Sequence, residues 1–160
     1  MEKKNLILLI CTVLSFFTVF AVNAVMVVIP SIASEFHMSN IVQNWVTMLL
    51  FLVVAIFTIP AGQLSGKFGL KKSMVLGSAL FIISSIVAIF SISSEMFLIC
   101  RVFQGIGVAF LNVASMAMVV SAFSPQKRGQ AIGINVTGVY LATSTSPVIG
   151  GFLNFQFGWR

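Results

Sequence analysis

Charged residues are scarce in this sequence of 160 residues, since they make up 8% of it and only three are acidic. A soluble domain usually carries about 25% charged and about 45–50% apolar residues. Here the hydrophobic share is 59%, and the mean hydropathy is +1.11. This composition excludes a soluble globular domain, a disordered chain and a coiled coil.

Cysteine, histidine and acidic residues, which commonly catalyse reactions or bind metals, are also few. Cys11 and Cys100 have no histidine or cysteine neighbour at metal-ligand spacing, and the single histidine, His37, lies beside Glu35 in a short polar segment. There is no nucleophile–base pair and no phosphate-binding loop. We therefore expect neither an enzyme nor a bound metal or organic cofactor.

Long uncharged stretches separate the charges, and each exceeds the roughly 20 residues that an α-helix needs to cross a bilayer. The apolar run at residues 6–29 is longer than the apolar core of a signal peptide, about 7–15 residues, so we expect it to be retained. Pro30 is predicted to end this first helix, because proline disfavours helix at the preceding residue. The fold class is therefore all-α integral membrane, with five transmembrane helices. The predicted spans are about 6–29, 43–65, 73–92, 97–121 and 130–153.

The basic residues predict the orientation. Cytoplasmic loops carry an excess of Lys and Arg, and a cytoplasmic N-terminus places seven of the nine basic residues inside, with Arg101 in a span and Arg160 outside. The seven are Lys3, Lys4, Lys67, Lys71, Lys72, Lys127 and Arg128. We expect a multi-pass protein of the cell membrane whose partner is the lipid bilayer. The net charge of +6 reflects this bias and not a nucleic-acid partner.

The end of the second span is rich in glycine and lysine. Gly62 and Gly66 are four residues apart and share a helix face, which would let a neighbouring backbone approach closely. Gly69 suits a tight turn. The simpler interpretation is an ordinary positively charged cytoplasmic loop, whose lysines are Lys67, Lys71 and Lys72.

Three of the polar residues within predicted spans are candidates for a functional role. An arginine such as Arg101 raises the free energy of inserting a helix into the membrane by roughly 2.5–3.5 kcal/mol when it lies at the helix centre. Gln104 follows three residues later, so both side chains face the same side, towards a bundle interior; the alternative is an arginine that reaches back to the interface as an anchor. Asn23, in the first span, either bonds to another helix or faces a substrate.

The fifth span carries small residues at every fourth position, which predicts a smooth face for close helix packing. Pro147 removes one backbone hydrogen bond and frees the carbonyl of Thr143, so a bend is expected there. Small stripes and proline bends also occur in ordinary packed spans. The stripe consists of Gly138, Ala142, Ser146 and Gly150.

Taken together, these motifs resemble the N-terminal part of a major facilitator superfamily transporter, most closely the fourteen-span drug:proton antiporter branch. The segment 62–72 resembles the loop signature G-x-x-x-D-R/K-x-G-R/K-R/K, and segment 101–107 resembles R-x-x-Q-G-x-G. The segment 146–151 resembles the antiporter signature G-P-x-x-G-G. The resemblance covers essentially the whole chain, with the motifs in the family's order.

The resemblance implies roles for these residues. The loop would form a charge lock at the cytoplasmic gate, Arg101 with Gln104 would take part in proton coupling, and the kinked fifth span would lie between two halves. Two departures concern the charges: Gly66 stands at the loop's acidic position, and Asn23 stands where an aspartate is frequent. The residues implied in the gate are Gly62, Gly66, Lys67, Gly69, Lys71 and Lys72, and those in the fifth span are Ser146, Pro147, Gly150 and Gly151.

The resemblance implies that the chain is an incomplete six-helix bundle from an efflux transporter. The full-length protein would export drugs or small amphipathic compounds, with the proton as coupling ion and no other cofactor. The alternatives are a truncated, non-transporting membrane protein that self-associates or pairs with a separately encoded second half, and a decayed gene product.

Overall fold

The computed structural model describes residues 3–159, so Arg160, expected outside the membrane, lies outside the described residues. The described part contains five α-helices, as the sequence predicted. Their bounds are α1 Lys3–Glu35, α2 Asn40–Phe68, α3 Leu70–Ile89, α4 Ser94–Ala122 and α5 Pro125–Phe157.

Short connections with local caps separate the helices, so successive helices run in opposite directions. The hydroxyl of Ser39 accepts a hydrogen bond from the Val42 amide at 3.4 Å, and that of Ser93 accepts one from the Met96 amide at 3.2 Å. Both serines satisfy amides that have no partner within the helix. Gly69 alone separates α2 from α3, and its φ of +92° is a conformation that other residues resist, as the sequence predicted.

The prediction that Pro30 ends the first helix is wrong, because α1 continues to Glu35. Proline removes only one backbone hydrogen bond, and helices in apolar surroundings tolerate it where neighbouring groups adjust. In contrast, α3 ends at Ile89, three residues before the predicted end of the third span at 92. Ser91 closes this end, since its hydroxyl donates to the Ala88 carbonyl at 2.8 Å.

Four of the five described helices, α1 to α4, are long and apolar enough to cross a membrane. The fifth, α5, has 33 residues and so extends about 50 Å, but it is more polar than the others. Many large apolar side chains lie on the outside of the bundle, including those of Phe17, Ile59 and Ile92. Such an exterior suits lipid, which solvates apolar groups as well as a protein core does.

The packing centres on α4. It lies against α2 on one side and α3 on the other, while α5 packs along α1. In the most apolar stretch of α4, half of the residues are buried, whereas 17–28% are buried in the corresponding stretches of α1, α2 and α3. Residues on α4 are therefore placed among the other helices.

Candidate functional site

Glycines bring α4 very close to its two neighbours near Gln104. A Cβ atom on Gly105 would lie 2.9 Å from the Leu50 carbonyl oxygen of α2. A Cβ atom on Gly107 would lie 2.8 Å from the Gly77 carbonyl oxygen of α3. Only residues without side chains permit these distances, so the two glycines set the spacing of the helices around the polar residues of α4.

Arg101 is buried inside the bundle, with 4% of its surface exposed. Its Nη1 donates to Oε1 of Gln104 at 2.9 Å, and its guanidinium carbon lies 5.3 Å from the ring centroid of Phe97. A hydrogen bond to a charged group contributes about 1.5–3 kcal/mol, and a cation–π contact about 0.5–2 kcal/mol. These contacts are comparable with the cost of inserting the charge. The interior pair predicted from the spacing is present, and the anchor alternative does not fit this burial.

Gln104 links Arg101 to helix α3. Its Nε2 donates to the Ser85 hydroxyl of α3 at 3.0 Å, and that hydroxyl donates to the Phe81 carbonyl at 2.6 Å. Gln104 is 6% exposed, and Ser85 is half-buried. A continuous hydrogen-bond chain therefore runs from the arginine of α4 to the backbone of α3.

Arg101, Gln104 and Ser85 line a cavity of about 310 Å³ between α1, α3, α4 and α5. Most of its wall is apolar, and Asn154 adds a further polar side chain to it. The Nε atom of Arg101 is buried without a hydrogen-bond partner. The cavity thus offers an apolar wall with a few polar groups, the usual composition of a small-molecule site. The apolar lining includes Ala21, Ala24, Val28, Ile32, Phe81, Ala88, Phe97 and Leu153.

The positive charge of Arg101 has no acidic partner within residues 3–159. The two carboxylates in this range, Glu35 and Glu95, lie near helix ends, and neither forms an ion pair with Arg101. The guanidinium instead contacts a neutral amide and an aromatic face. It can therefore still attract an anionic or electron-rich group that reaches it.

An aromatic cluster contributes Phe97 and Trp159 to the cavity wall. The Trp159 ring packs edge-on against Phe36 and Phe97, with centroids 5.8 and 6.1 Å away, and its Nε1 donates to the carboxylate of Glu35. A second link between α1 and the end of α5 runs from Nδ2 of Asn154 to the Ser31 hydroxyl at 2.9 Å. Phe97 joins this cluster to the site, because it also contacts Arg101.

Asn23 does not join this site. It is half-buried on α1 and is not among the residues that line the cavity, although its neighbour Ala24 is. A role for Asn23 in transport stays a prediction.

The glycine- and lysine-rich segment forms the α2–α3 junction at the other end of the bundle. Lys67, Lys71 and Lys72 are exposed, and none forms an ion pair with a described residue. Apart from its chain neighbours and the nearby backbone of α2, no atom within residues 3–159 would lie within 4 Å of a Cβ on Gly66, and one on Gly62 would make only an ordinary contact, 3.9 Å from Val113. The close helix approach predicted at these two glycines is therefore absent from the described chain, since α2 meets α4 closely at Gly105 instead.

The stripe of small residues on α5 packs closely, as predicted, and α1 is its partner. Gly138, Ala142, Ser146 and Gly150 are all buried. A Cβ atom on Gly150 would lie 3.1 Å from Ala24, and one on Gly138 would lie 2.6 Å from the side chain of Thr12. Gly151 is half-buried beside this stripe.

Pro147 lies inside α5, where it frees the carbonyl of Thr143. The hydroxyl of Ser146 donates to this carbonyl at 3.4 Å. A serine in place of the signature's first glycine thus partly replaces the missing backbone hydrogen bond.

The sequence alone did not place Ser85, Phe97, Asn154 or Trp159 in the candidate site. Ser85 follows Ser84 in a largely apolar span, and this adjacent polar pair was the available signal. Only the structure shows which of the two hydroxyls faces α4, because their contacts depend on how α3 is rotated against its neighbour.

Comparison with known proteins agrees with the family resemblance found in the sequence. The family model described as Major Facilitator Superfamily matches residues 8–160. The chain is 32% identical, over its full length, to the drug efflux pump JefA of Mycobacterium tuberculosis, and 29% identical over 99% of its length to the riboflavin transporter RibZ of Clostridioides difficile. It is 31% identical over 82% of its length to the tetracenomycin C resistance and export protein of Streptomyces glaucescens. The chain covers 32%, 35% and 24% of these relatives' lengths, which is about a third or less.

Proposed function

The chain belongs to the major facilitator superfamily of membrane transporters, and on this basis we propose that it is the N-terminal part of an exporter of drugs or small amphipathic compounds. The observation that carries the proposal is the buried pair of Arg101 and Gln104, which faces an apolar cavity. The relatives named as a drug efflux pump and as an export protein support the direction of transport. A relative named as a riboflavin transporter shows that the substrate differs among similar chains.

The cavity composition suggests which compounds would fit. An apolar wall favours flat or aliphatic groups, because their burial contributes about 25 cal/mol per Å² of apolar surface. The guanidinium of Arg101 has only hydrogen-bond donors, so it would select a carbonyl, phenolate or carboxylate oxygen on the substrate. We propose an amphipathic substrate with at least one such acceptor.

We propose proton antiport as the energy source. Arg101 is the residue assigned to coupling, since a permanent positive charge in a poorly solvated site favours the ionised form of a nearby acid. Asn23 has no group that takes up and releases a proton, and no acid within residues 3–159 pairs with Arg101. In this proposal the proton-binding carboxylate comes from another part of the protein or from the substrate.

The proposed orientation has a cytoplasmic N-terminus, which places the lysines of the α2–α3 junction at the inner surface of the cell membrane.

In the alternative, the chain self-associates or pairs with a separate second half. Helix α2 has a surface available for this association. Gly66 is exposed with open space around it, whereas α1 already covers the small-residue stripe of α5. Association in this alternative would therefore use the Gly62–Gly66 face.

Dye efflux from cells that lack their own multidrug pumps tests the proposal. The full-length protein that contains this chain should remove a fluorescent amphipathic dye faster than an empty-vector control, and a protonophore should abolish the difference. A protein that accumulates in the membrane and gives no efflux with a panel of amphipathic dyes would contradict export. Efflux that persists with the protonophore would contradict proton antiport and leave the export function standing.

A further inference from the structure

Ser85 is the only side chain of α3 in the hydrogen-bond chain described for Arg101 and Gln104. We propose that Ser85 is a positioning residue for Arg101, because it holds the amide of Gln104 with the oxygen turned towards the guanidinium. This inference rests on the proposed export function, in which Arg101 acts on the substrate or on the coupling proton. It concerns a residue that belongs to none of the sequence motifs.

The direction of each hydrogen bond supports the assignment. The Ser85 hydroxyl donates its single proton to the Phe81 carbonyl at 2.6 Å, so towards Gln104 it can only accept. It accepts from Nε2 at 3.0 Å, and this leaves Oε1 of the same amide for Arg101 at 2.9 Å. Arginine has donors only, so this amide orientation is the one that gives it a partner.

Loss of the Ser85 hydroxyl would remove this constraint. Nε2 would lie in a site where Gln104 is 6% exposed, with no acceptor from α3. An amide free to rotate could place its NH₂ group against the guanidinium, where two donors face each other. Arg101 would then lose the Gln104 oxygen, its hydrogen-bond acceptor among residues 3–159, and move within the cavity.

Ser84 provides a matched control on the same helix. It is buried, but its hydroxyl donates to the Leu80 and Phe81 carbonyls of its own helix, at 2.6 and 3.1 Å. The two serines therefore share residue type and helix, and they differ in their contact with Gln104 of α4. A general effect of losing a serine hydroxyl from α3 should appear in both variants.

The test is a double-mutant cycle on the full-length protein, with the initial rate of dye efflux per amount of folded protein as the readout. We expect Ser85→Ala to lower the rate about three- to ten-fold, the equivalent of one buried hydrogen bond. In a Gln104→Leu background, Ser85→Ala should cause no further loss. Ser85→Thr retains the hydroxyl and should restore most of the rate, while Ser84→Ala should stay within two-fold of wild type.

Two results would overturn the inference. One is a Ser85→Ala variant that transports like wild type while Arg101→Ala is inactive. The other is a Ser85→Ala effect of equal size in the wild-type and Gln104→Leu backgrounds, because Ser85 would then act without Gln104.

The proposed function can fail separately, and a wild-type full-length protein that accumulates in the membrane without dye efflux would show this. Thermal unfolding of the same purified variants then tests the contact by itself. Ser85→Ala should lower the unfolding midpoint in the wild-type background and leave it unchanged in the Gln104→Leu background. Equal lowering in both backgrounds would contradict the positioning.

Discussion

The substitution Gly107→Ala tests the close contact between α3 and α4 that places Ser85 beside Gln104. The new Cβ would lie 2.8 Å from the Gly77 carbonyl oxygen and 2.9 Å from the Phe81 backbone nitrogen. Both atoms belong to the backbone, so a side-chain rotation cannot relieve the clash and the helices must separate by several tenths of an ångström. Overpacking of this kind typically costs about 1–3 kcal/mol. Alanine recovers up to about 1 kcal/mol through its higher helix propensity.

With the full gain from helix propensity, the expected net loss is about 0–2 kcal/mol, centred on about 1 kcal/mol. At about 2–4 °C per kcal/mol for a chain of this size, a loss of about 1 kcal/mol lowers the unfolding midpoint in detergent by about 2–4 °C. A dye that reacts with thiols provides the assay, because Cys11 and Cys100 are both buried. Gly133→Ala on α5 is the control, since a Cβ there meets nothing within 4 Å. If Gly107→Ala is as stable as Gly133→Ala, the close contact between α3 and α4 is wrong.

Three further predictions concern the α2–α3 junction and the cysteines. Gly69→Ala should lower the unfolding midpoint, because a φ of +92° costs a residue with a Cβ about 1–2 kcal/mol; an unchanged midpoint would argue against this turn. Gly66→Asp should change the free energy of unfolding by less than about 0.5 kcal/mol in thermal melts, since the position is open, and a large loss would mean that a neighbour is present. Cys11 and Cys100, with 0% and 4% exposure, should react with a maleimide at least about ten-fold more slowly in the folded protein than after denaturation, as followed by mass spectrometry; equal rates would contradict their burial.

The sequence predicted those parts of the fold that depend on local patterns. Uncharged stretches gave five helices, and the three-residue spacing of Arg101 and Gln104 placed them on one face. The i, i+4 spacing of small residues also identified the packed stripe of α5. These features depend on helix periodicity, which is a property of the chain alone.

The remaining features depend on contacts between helices. Ser85 lies 19 residues from Gln104, and Trp159 lies 124 residues from Glu35, so no local pattern links these pairs. The failed prediction at Pro30 has a similar origin, since a helix continues through proline when its surroundings tolerate one missing hydrogen bond. The glycines of segment 62–66 likewise had the right spacing for a close contact, but the helix that meets α2 approaches it elsewhere.

The most direct test of the account is a comparison of two arginine substitutions in the full-length protein. Arg101→Ala removes the buried charge, whereas Arg128→Ala removes an exposed arginine that bonds to the Phe123 carbonyl. At equal amounts of folded protein in the membrane, we expect Arg101→Ala to reduce the initial rate of dye efflux at least about ten-fold and Arg128→Ala to leave it within two-fold of wild type. Efflux by Arg101→Ala at the rate of Arg128→Ala would contradict the role of the buried arginine in export.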